Sequence, residues 1–314
     1  MKGVIGGLAL AGVLLLAAPS HADISSLPPS VAAGIAAMGP HLDREIIDKT
    51  AALMKPVVPA ALPTGVRLTK DVAYGSDSLQ TIDVYQPATG QNLPIAIYVH
   101  GGGFTGGDKN GYGQFYGNIP AYLARHGIIG VNANYRLAPK VAWPAESDDV
   151  GAVVTFMTKS AAQYGGDPKR IFLIGHSAGA NLVASYAVIP SLHPRTGAGI
   201  AGAVVVSIPA YHAASVSPPD HAYLGDDASK YPARAPETYL KDSKIPFMIV
   251  AAEFDPIVLA AESYDMAAAV CRRDGKCPVF VYMKGHNHIS ETMSVGSRDD
   301  TLARALVDFV TNTR

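Results

Sequence analysis

The sequence is poor in cysteine and tryptophan and has no excess of charge of one sign. Its 314 residues include two cysteines and one tryptophan, and 25 basic side chains stand against 26 acidic ones. Two cysteines without a nearby histidine do not form a structural zinc site. The lack of a basic run or an acidic tail argues against nucleic-acid binding and a solvated interaction arm. Hydrophobic residues make up 48% of the chain, enough for one large core.

Cys271 and Cys277 enclose the segment Cys-Arg-Arg-Asp-Gly-Lys-Cys. They are expected to join the end of a helix to the next strand across a tight Asp-Gly turn, so contact between them is geometrically easy. An oxidising compartment permits such a pair. The alternative is two separate thiols, one of them buried. We predict a disulfide that serves local stability rather than catalysis.

The one candidate membrane segment lies at the N-terminus. Met1-Lys2 gives a short positive start, residues 4–18 form an uncharged apolar run, and Ser20-His21-Ala22 supplies small residues where signal peptidase reads. We therefore predict a signal peptide over residues 1–22, cleaved before Asp23, and a periplasmic or secreted protein. The run is short for a stable span, and an uncleaved anchor is the alternative. After cleavage we expect no stable membrane association.

Beyond residue 65 the chain alternates between predicted strands and helices. Residues 23–65 are rich in proline and alanine and are expected to form an N-terminal helical arm or cap. Residues 66–314 are expected to form one α/β domain, a mostly parallel eight-stranded sheet with helices on both faces. An insertion over about residues 211–242 is expected to complete a small cap over the carboxyl ends of the strands. The predicted strands are residues 67–73, 80–85, 94–99, 128–134, 170–174, 203–207, 246–252 and 278–282.

The segment Gly175-His176-Ser177-Ala178-Gly179 follows a predicted buried strand and precedes a helix of small residues. A Gly-x-Ser-x-Gly turn in this context is so tight that the neighbours of the serine must be small, and it exposes the hydroxyl at the edge of the sheet. It also directs the N-terminus of the next helix at a developing negative charge. We predict that Ser177 is a nucleophile. The alternative is a tight turn without chemistry.

A second glycine-rich segment, His100-Gly101-Gly102-Gly103-Phe104, closes the predicted strand at residues 94–99. Its glycines let backbone amides point inward without an obstructing Cβ. Gly102, Gly103 and Ala178 are therefore the predicted donors of an oxyanion hole. The segment also fits the dinucleotide pattern Gly-x-Gly-x-x-Gly, but it does not follow the first strand of a βαβ unit and lacks an immediate helix. We predict no cofactor.

A nucleophilic serine needs a base and an acid that orients the base. The predicted strand at residues 246–252 is followed by Glu253 and Asp255, and the strand at residues 278–282 by His286 and His288. Asp255 precedes Pro256, which would hold its carboxylate in a sharp turn, so Asp255 is the predicted acid. His288, at the entry to the last helical region, is the predicted base. His286 is then an exposed loop residue or a supporting donor. The two histidines lack further metal ligands, and no metal is predicted.

Small-molecule sites are mostly apolar with a few polar groups. Ordinary core packing is the alternative for each aromatic side chain near the predicted site. The predicted pocket residues are Phe104, Tyr112, Tyr116, Tyr211 and Phe254.

These motifs together resemble the α/β-hydrolase superfamily, and within it the esterases with a His-Gly-Gly-Gly oxyanion loop. That group includes the hormone-sensitive-lipase-like esterases, the arylformamidases and the bacterial feruloyl esterases. The similarity runs from about residue 69 to the C-terminus. It is carried by His100–Phe104 with Gly107-Asp108-Lys109, Asn134-Tyr135-Arg136-Leu137-Ala138-Pro139, Asp167-Pro168, Gly175–Gly179, Asp255-Pro256 and Gly285-His286-Asn287-His288.

The resemblance implies an α/β-hydrolase fold and a serine esterase with the triad Ser177, Asp255 and His288. The expected partner is a small-molecule ester with a short acyl or aromatic group. An arylformamidase or a carbohydrate acetyl or feruloyl esterase is the first alternative, and a non-catalytic binding protein on the same scaffold is the second. The Gly-Asp-Lys segment after the oxyanion loop is more similar to the formamidases and feruloyl esterases than to the lipases. Nothing in the sequence indicates the oligomeric state.

Overall fold

The computed structural model describes residues 27–59, 61–111, 115–217 and 220–313. The predicted signal peptide at residues 1–22 and the predicted pocket residue Tyr112 lie outside the described residues, so both stay predictions. Within the described ranges, no helix combines the length and the apolar character that crossing a membrane requires.

Eight strands form one sheet in the order β1-β2-β4-β3-β5-β6-β7-β8. The β1–β2 and β2–β4 pairs are antiparallel, and every pair from β4–β3 to β7–β8 is parallel. This confirms the predicted mostly parallel, eight-stranded sheet. The strands are β1 Val66–Ala73, β2 Thr81–Pro87, β3 Leu93–Val99, β4 Ile129–Ala133, β5 Gly166–His176, β6 Gly202–Val206, β7 Phe247–Phe254 and β8 Val279–Asn287.

Helices cover both faces of this sheet. Buried residues of α4, α5 and α8 pack on one face, and those of α3 and α10 pack on the other. The α-helices of the described residues are α1 Pro29–Met38, α2 Arg44–Met54, α3 Asn118–Arg125, α4 Ala145–Ser160, α5 Ala178–Val188, α6 His221–Leu224, α7 Pro236–Leu240, α8 Ile257–Asp274, α9 Ser290–Met293 and α10 Thr301–Asn312.

The central strands are apolar throughout because both of their faces are covered. In β3, Ile95, Ile97 and Val99 pack toward α4 and α5, whereas Ala96 and Tyr98 pack toward α3 and α10. Successive side chains of a strand point to opposite faces, so a strand buried on both sides reads as a continuous apolar run. This is why β3 could be located from the sequence.

The last two strands extend further at their carboxyl ends than the sequence predicted, and this extension positions the site. β7 reaches Phe254 and β8 reaches Asn287, because Phe254 pairs with Asn287 after an irregularity in the register. The residues that follow these two strand ends, Asp255 and His288, are therefore neighbours at the same edge of the sheet.

The N-terminal arm packs over that edge. Side chains of α1 and α2, among them Ile35 and Met54, form a separate apolar cluster with Phe115, Ile289 and Met293. Because Ile289 and Met293 directly follow β8, the arm covers the turn after the last strand.

Cys271 and Cys277 are paired, so the predicted disulfide is present. It links the last turn of α8 to the residues that precede β8.

Candidate active site

Ser177 lies at the turn between β5 and α5, and its backbone has a φ of 55°. This left-handed conformation is uncommon for a residue other than glycine and is typical of strained functional turns. The Ser177 amide donates to the Val206 carbonyl at 2.9 Å, which fixes the turn against the end of β6. The predicted strand–turn–helix context around this serine is thus present.

The glycine-rich segment after β3 lies directly against this turn. A Cβ on Gly179 would come within 2.2 Å of the Val99 carbonyl oxygen, and one on Gly101 within 2.9 Å of the Ser177 Cβ. Only glycines permit these two approaches. Gly102 and Gly103, which follow Gly101 in the chain, are exposed, and Ala178 is the first residue of α5. The role of Gly102, Gly103 and Ala178 as oxyanion donors stays a prediction.

His100 anchors the start of the oxyanion loop from inside. Its Nδ1 donates to the Gly101 carbonyl at 2.7 Å, and its ring stacks on Tyr135 with centroids 4.5 Å apart. Burial lowers the pKa of His100, so the ring is uncharged at neutral pH. The Tyr135 hydroxyl donates to the His100 carbonyl at 2.9 Å. The contacts of His100 are therefore those of a structural support.

Lys109 anchors the end of the same loop. Its Nζ contacts Asp71 at 2.6 Å and Asp83 at 2.7 Å. Its backbone amide donates to Asn134 Oδ1 at 2.5 Å, and its carbonyl accepts from Asn132 Nδ2 at 2.7 Å. Burial favours the neutral amine, but the two carboxylates outweigh it and raise the pKa of Lys109. The Gly-Asp-Lys segment thus fixes the loop to β1, β2 and the end of β4.

Asp255 and His288 are joined by a hydrogen bond of 2.9 Å between Oδ1 and Nδ1. The other carboxylate oxygen of Asp255 accepts from the Ser207 hydroxyl at 2.6 Å and the Ala252 amide at 2.8 Å. Burial alone would raise the pKa of Asp255, but the bonds from His288 and Ser207 outweigh it and leave the pKa below its ordinary value. Asp255 is therefore a carboxylate at neutral pH.

The second nitrogen of His288 is unpaired. Because Nδ1 donates to Asp255, Nε2 carries the lone pair of the neutral ring. Nε2 is buried and has no hydrogen-bond partner among the described residues, so it makes no hydrogen bond to the Ser177 hydroxyl here. Such catalytic bonds are often long before substrate binds.

His176, the second residue of the Gly-x-Ser-x-Gly segment, supports His288. Its ring lies 4.7 Å from the His288 ring between centroids, and its Nε2 donates to the His288 carbonyl at 2.8 Å. Burial, aided by the charge of protonated His288, lowers the pKa of His176 to about 3, so it stays neutral. The sequence prediction missed this residue, although its place at the end of a buried strand was a usable signal.

The rejected acid and base have other partners. Glu253 is exposed and accepts from the Gly285 amide at 2.7 Å. His286 is fully buried, so the expectation of an exposed loop residue is wrong for it. Its ring contacts Asp299 at 3.3 Å and Ser290 at 3.1 Å. Neither residue bonds to the Asp255–His288 pair.

Metal-ligand atoms converge at one place in the described ranges. One ligand atom from each of His176, His288 and Glu291 lies within 4.8 Å of the others. His176 Nε2 is already bonded to the His288 carbonyl and His288 Nδ1 to Asp255. These two hydrogen bonds hold the imidazole rings in an arrangement that suits acid–base chemistry.

The predicted pocket aromatics occupy varied environments. Phe104 is fully buried and stacks on Tyr223 with centroids 5.0 Å apart. The Tyr116 ring stacks on the His100 ring with centroids 6.0 Å apart, and Tyr211, at the start of the predicted insertion, is buried in the core. Phe254 is partly buried against the arm cluster. Packing accounts for these contacts, and a substrate-binding role for these residues stays a prediction.

Comparisons with known proteins find relatives that are named as esterases and as a formamidase. A family model described as BD-FAE matches residues 82–193. The chain is 28% identical to esterase LipQ of Mycobacterium tuberculosis over 265 residues, which cover 77% of this chain and 62% of LipQ. It is 35% identical to a kynurenine formamidase of Meyerozyma guilliermondii over 116 residues, 36% of this chain and 40% of that protein. The chain thus spans less than two thirds of the length of these relatives.

Among solved structures, esterase B from Lactobacillus rhamnosis superposes with a TM-score of 0.69 at 19% identity. The superposition covers 90% of this chain and 97% of that one. The chain therefore has the α/β-hydrolase fold. The sequence matches confirm its predicted resemblance to the esterases that carry a His-Gly-Gly-Gly oxyanion loop.

Replacing Lys109 should destabilise the protein strongly, because Lys109 and Asp83 form an ion pair whose side chains are both 1% exposed. Lys109→Met leaves Asp83 buried beside an apolar side chain, and we expect the free energy of unfolding to fall by about 3–5 kcal/mol. Lys140 is exposed, so the control Lys140→Met should change it by about 0.5 kcal/mol or less. Urea denaturation measures both, and equal effects would contradict the importance of this pair.

Proposed function

We propose that this chain is a serine hydrolase that cleaves carboxylic esters. The observation that carries the proposal is the bond between Asp255 and His288 at 2.9 Å, which leaves the lone pair of His288 Nε2 unpaired at the sheet edge where Ser177 stands. A nucleophile, an acid and a base at the carboxyl ends of parallel strands are the parts that acyl transfer through a serine requires.

In this mechanism His288 Nε2 takes the proton of the Ser177 hydroxyl as its oxygen attacks the acyl carbonyl. Asp255 stabilises the charged imidazole and holds its orientation. Protonated His288 then gives its proton to the leaving alcohol, and an acyl-enzyme remains on Ser177. Water repeats the sequence and releases the acid.

The negative charge on the tetrahedral intermediate needs donors that are already in place. We assign this role to the amides of Gly102 and Gly103, which follow Gly101 in the loop against the Ser177 turn, and of Ala178, the first residue of α5. Each such donor typically contributes about 2.7–4 kcal/mol to transition-state stabilisation. The helix α5 adds the positive end of its dipole at Ala178.

The preferred substrates in this proposal are esters with short acyl or aromatic groups. LipQ and esterase B are named as esterases, which supports ester cleavage. A second candidate is cleavage of an aryl formamide, and the match to a kynurenine formamidase favours it. Both reactions attack an acyl carbon and use the same residues.

The disulfide supports a periplasmic or secreted location, because such bonds persist in oxidising compartments.

A fluorophosphonate probe tests the nucleophile. Wild-type protein should be labelled covalently, and Ser177→Ala should not, because the probe reacts with an activated serine. Ser229→Ala removes an exposed serine hydroxyl and should be labelled like wild type. Intact-mass spectrometry gives the stoichiometry. Folded wild-type protein that takes up no probe would favour a non-catalytic binding protein.

Substitution distinguishes the roles of His286 and His288 in the last loop. His288→Ala removes the base and should lower kcat on the order of 10⁴-fold or more. His286→Ala breaks the contact with Asp299 but leaves the Asp255–His288 pair, so each folded molecule should keep most of its activity. Steady-state kinetics with circular dichroism as the folding check measures both. The reverse order of losses would overturn the assignment of the base.

A substrate panel separates the two candidate reactions. We expect the highest kcat/KM on p-nitrophenyl esters of short chain or on methyl ferulate, and a decline as the acyl chain lengthens. N-formylkynurenine tests the formamidase reaction in parallel. A higher kcat/KM on the formamide than on every ester would favour the second candidate.

A further inference from the structure

Glu291 is a buried carboxyl group next to the Asp255–His288 pair that the mechanism above does not use. It lies in α9, three residues after His288, and its side chain is 0% exposed. Neither of its carboxyl oxygens has a hydrogen-bond partner of good geometry among the described residues. Buried polar groups are nearly always bonded, so an exception calls for an explanation.

Two polar groups near the Glu291 carboxyl each form a hydrogen bond to one member of the Asp255–His288 pair. Oε1 of Glu291 lies 3.5 Å from His176 Nε2, the atom that donates to the His288 carbonyl at 2.8 Å. The Ser207 hydroxyl lowers the pKa of Glu291, and the same hydroxyl donates to Asp255 at 2.6 Å. Glu291 is thus linked to one group that supports the acid and to one that supports the base.

We propose that Glu291 is a positioning residue that holds Asp255 and His288 in their catalytic orientation through Ser207 and His176. This inference rests on the proposed function, because it assigns a support to the same acid–base pair.

The surroundings of Glu291 favour its uncharged form. Burial raises the pKa of Glu291 well above its ordinary value, the negative charge of Asp255 raises it further, and Ser207 lowers it only in part. The titratable groups that face it are Tyr98 on β3, His176 at the end of β5, Asp255 after β7 and His288 after β8. His176 is neutral and Asp255 is an anion, so neither favours a second carboxylate.

An uncharged carboxyl can donate one hydrogen bond. The Ser207 hydroxyl gives its own hydrogen to Asp255 and keeps lone pairs to accept another. An O–H of Glu291 directed at Ser207 therefore completes a chain that ends on the Asp255 carboxylate, and hydrogen bonds in such a chain strengthen one another. An ionised Glu291 would reverse this effect, since the Ser207 hydroxyl cannot donate to two carboxylates at once.

Two substitutions at position 291 test the role. Glu291→Leu keeps a similar size but removes donor and acceptor, and we expect kcat to fall by about tenfold with KM within about twofold of wild type. In a plot of kcat/KM against pH, the acid limb should move to lower pH, because a poorly held Asp255 stabilises protonated His288 less. Glu291→Gln remains an uncharged donor and should keep kcat within about threefold of wild type.

Glu146 provides the matched control for the loss of a buried glutamate. It is 0% exposed, its Oε1 accepts from the Ala138 amide at 3.0 Å, and burial raises its pKa to about 9. Glu146→Leu should lower the stability of the fold without moving the acid limb. A shift of the limb as large as that in Glu291→Leu would overturn the specific role of Glu291.

Substitution of Ser207 gives a second test of the proposal. Ser207→Ala interrupts the proposed hydrogen-bond chain next to Asp255. It should lower kcat and shift the acid limb of the pH profile as Glu291→Leu does. This variant tests the proposal if Glu291→Leu does not fold. Residues of one network are not additive, so the double variant Glu291→Leu with Ser207→Ala should lose no more than the worse single variant. Additive losses, or a Ser207→Ala profile identical to wild type, would overturn the relay.

The outcomes separate this inference from the proposed function. Wild-type protein that neither hydrolyses esters nor takes up the fluorophosphonate contradicts the function itself. An active, labelled wild type whose Glu291→Leu variant keeps its kcat and acid limb overturns the positioning role alone. Equal losses in Glu291→Gln and Glu291→Leu would also overturn it, because they would mean that the carboxylate form is required.

Discussion

Parallel pairing of the central strands is the constraint on which the candidate site depends. In a parallel sheet the carboxyl ends of neighbouring strands meet at one edge, where ligands bind in open α/β folds. Here Ser177, Ser207, Asp255 and His288 each directly follow the last residue of β5, β6, β7 and β8. Residues more than 100 positions apart are thereby brought together by backbone hydrogen bonds. The pairing of Phe254 with Asn287 is the last of these steps, since it fixes the acid beside the base.

Bringing these groups together places charge in a buried region, and the structure offsets that cost locally. Asp255 is an anion, and it receives three hydrogen bonds, from His288, Ser207 and the Ala252 amide. A buried charge persists only when it is paired and bonded in this way. The nearby His176 remains neutral because its burial would leave a protonated ring without water. The negative charge of Asp255 is opposite to the one that His288 acquires during turnover.

The sequence predicts the strands and the two glycine-rich motifs well because both have local causes. The β3 run is apolar since its two faces are covered, and Gly179 is required by a contact of its own turn with Val99. Ser207 and Glu291 were not predicted, because their roles arise from neighbours far away in the chain. Nothing around Glu291 in the sequence distinguishes a buried acid from a solvated helix residue. Phe104 is similar, since full burial against Tyr223 depends on how the insertion packs.

The arm and the last loop are linked by a polar contact as well as by apolar packing. Asn287 Nδ2 donates to the Thr50 hydroxyl of α2 at 2.9 Å, and Asn287 Oδ1 accepts from the Ser290 amide at 2.9 Å. One asparagine therefore closes the first turn of α9 and joins it to the arm. His288 lies inside that turn. Its backbone is therefore held both by His176, which donates to its carbonyl, and by the contacts of Asn287 with the arm. A base that must return to the same place in each turnover needs such a fixed backbone, and the arm contributes to it although it lies far from Ser177 in the sequence.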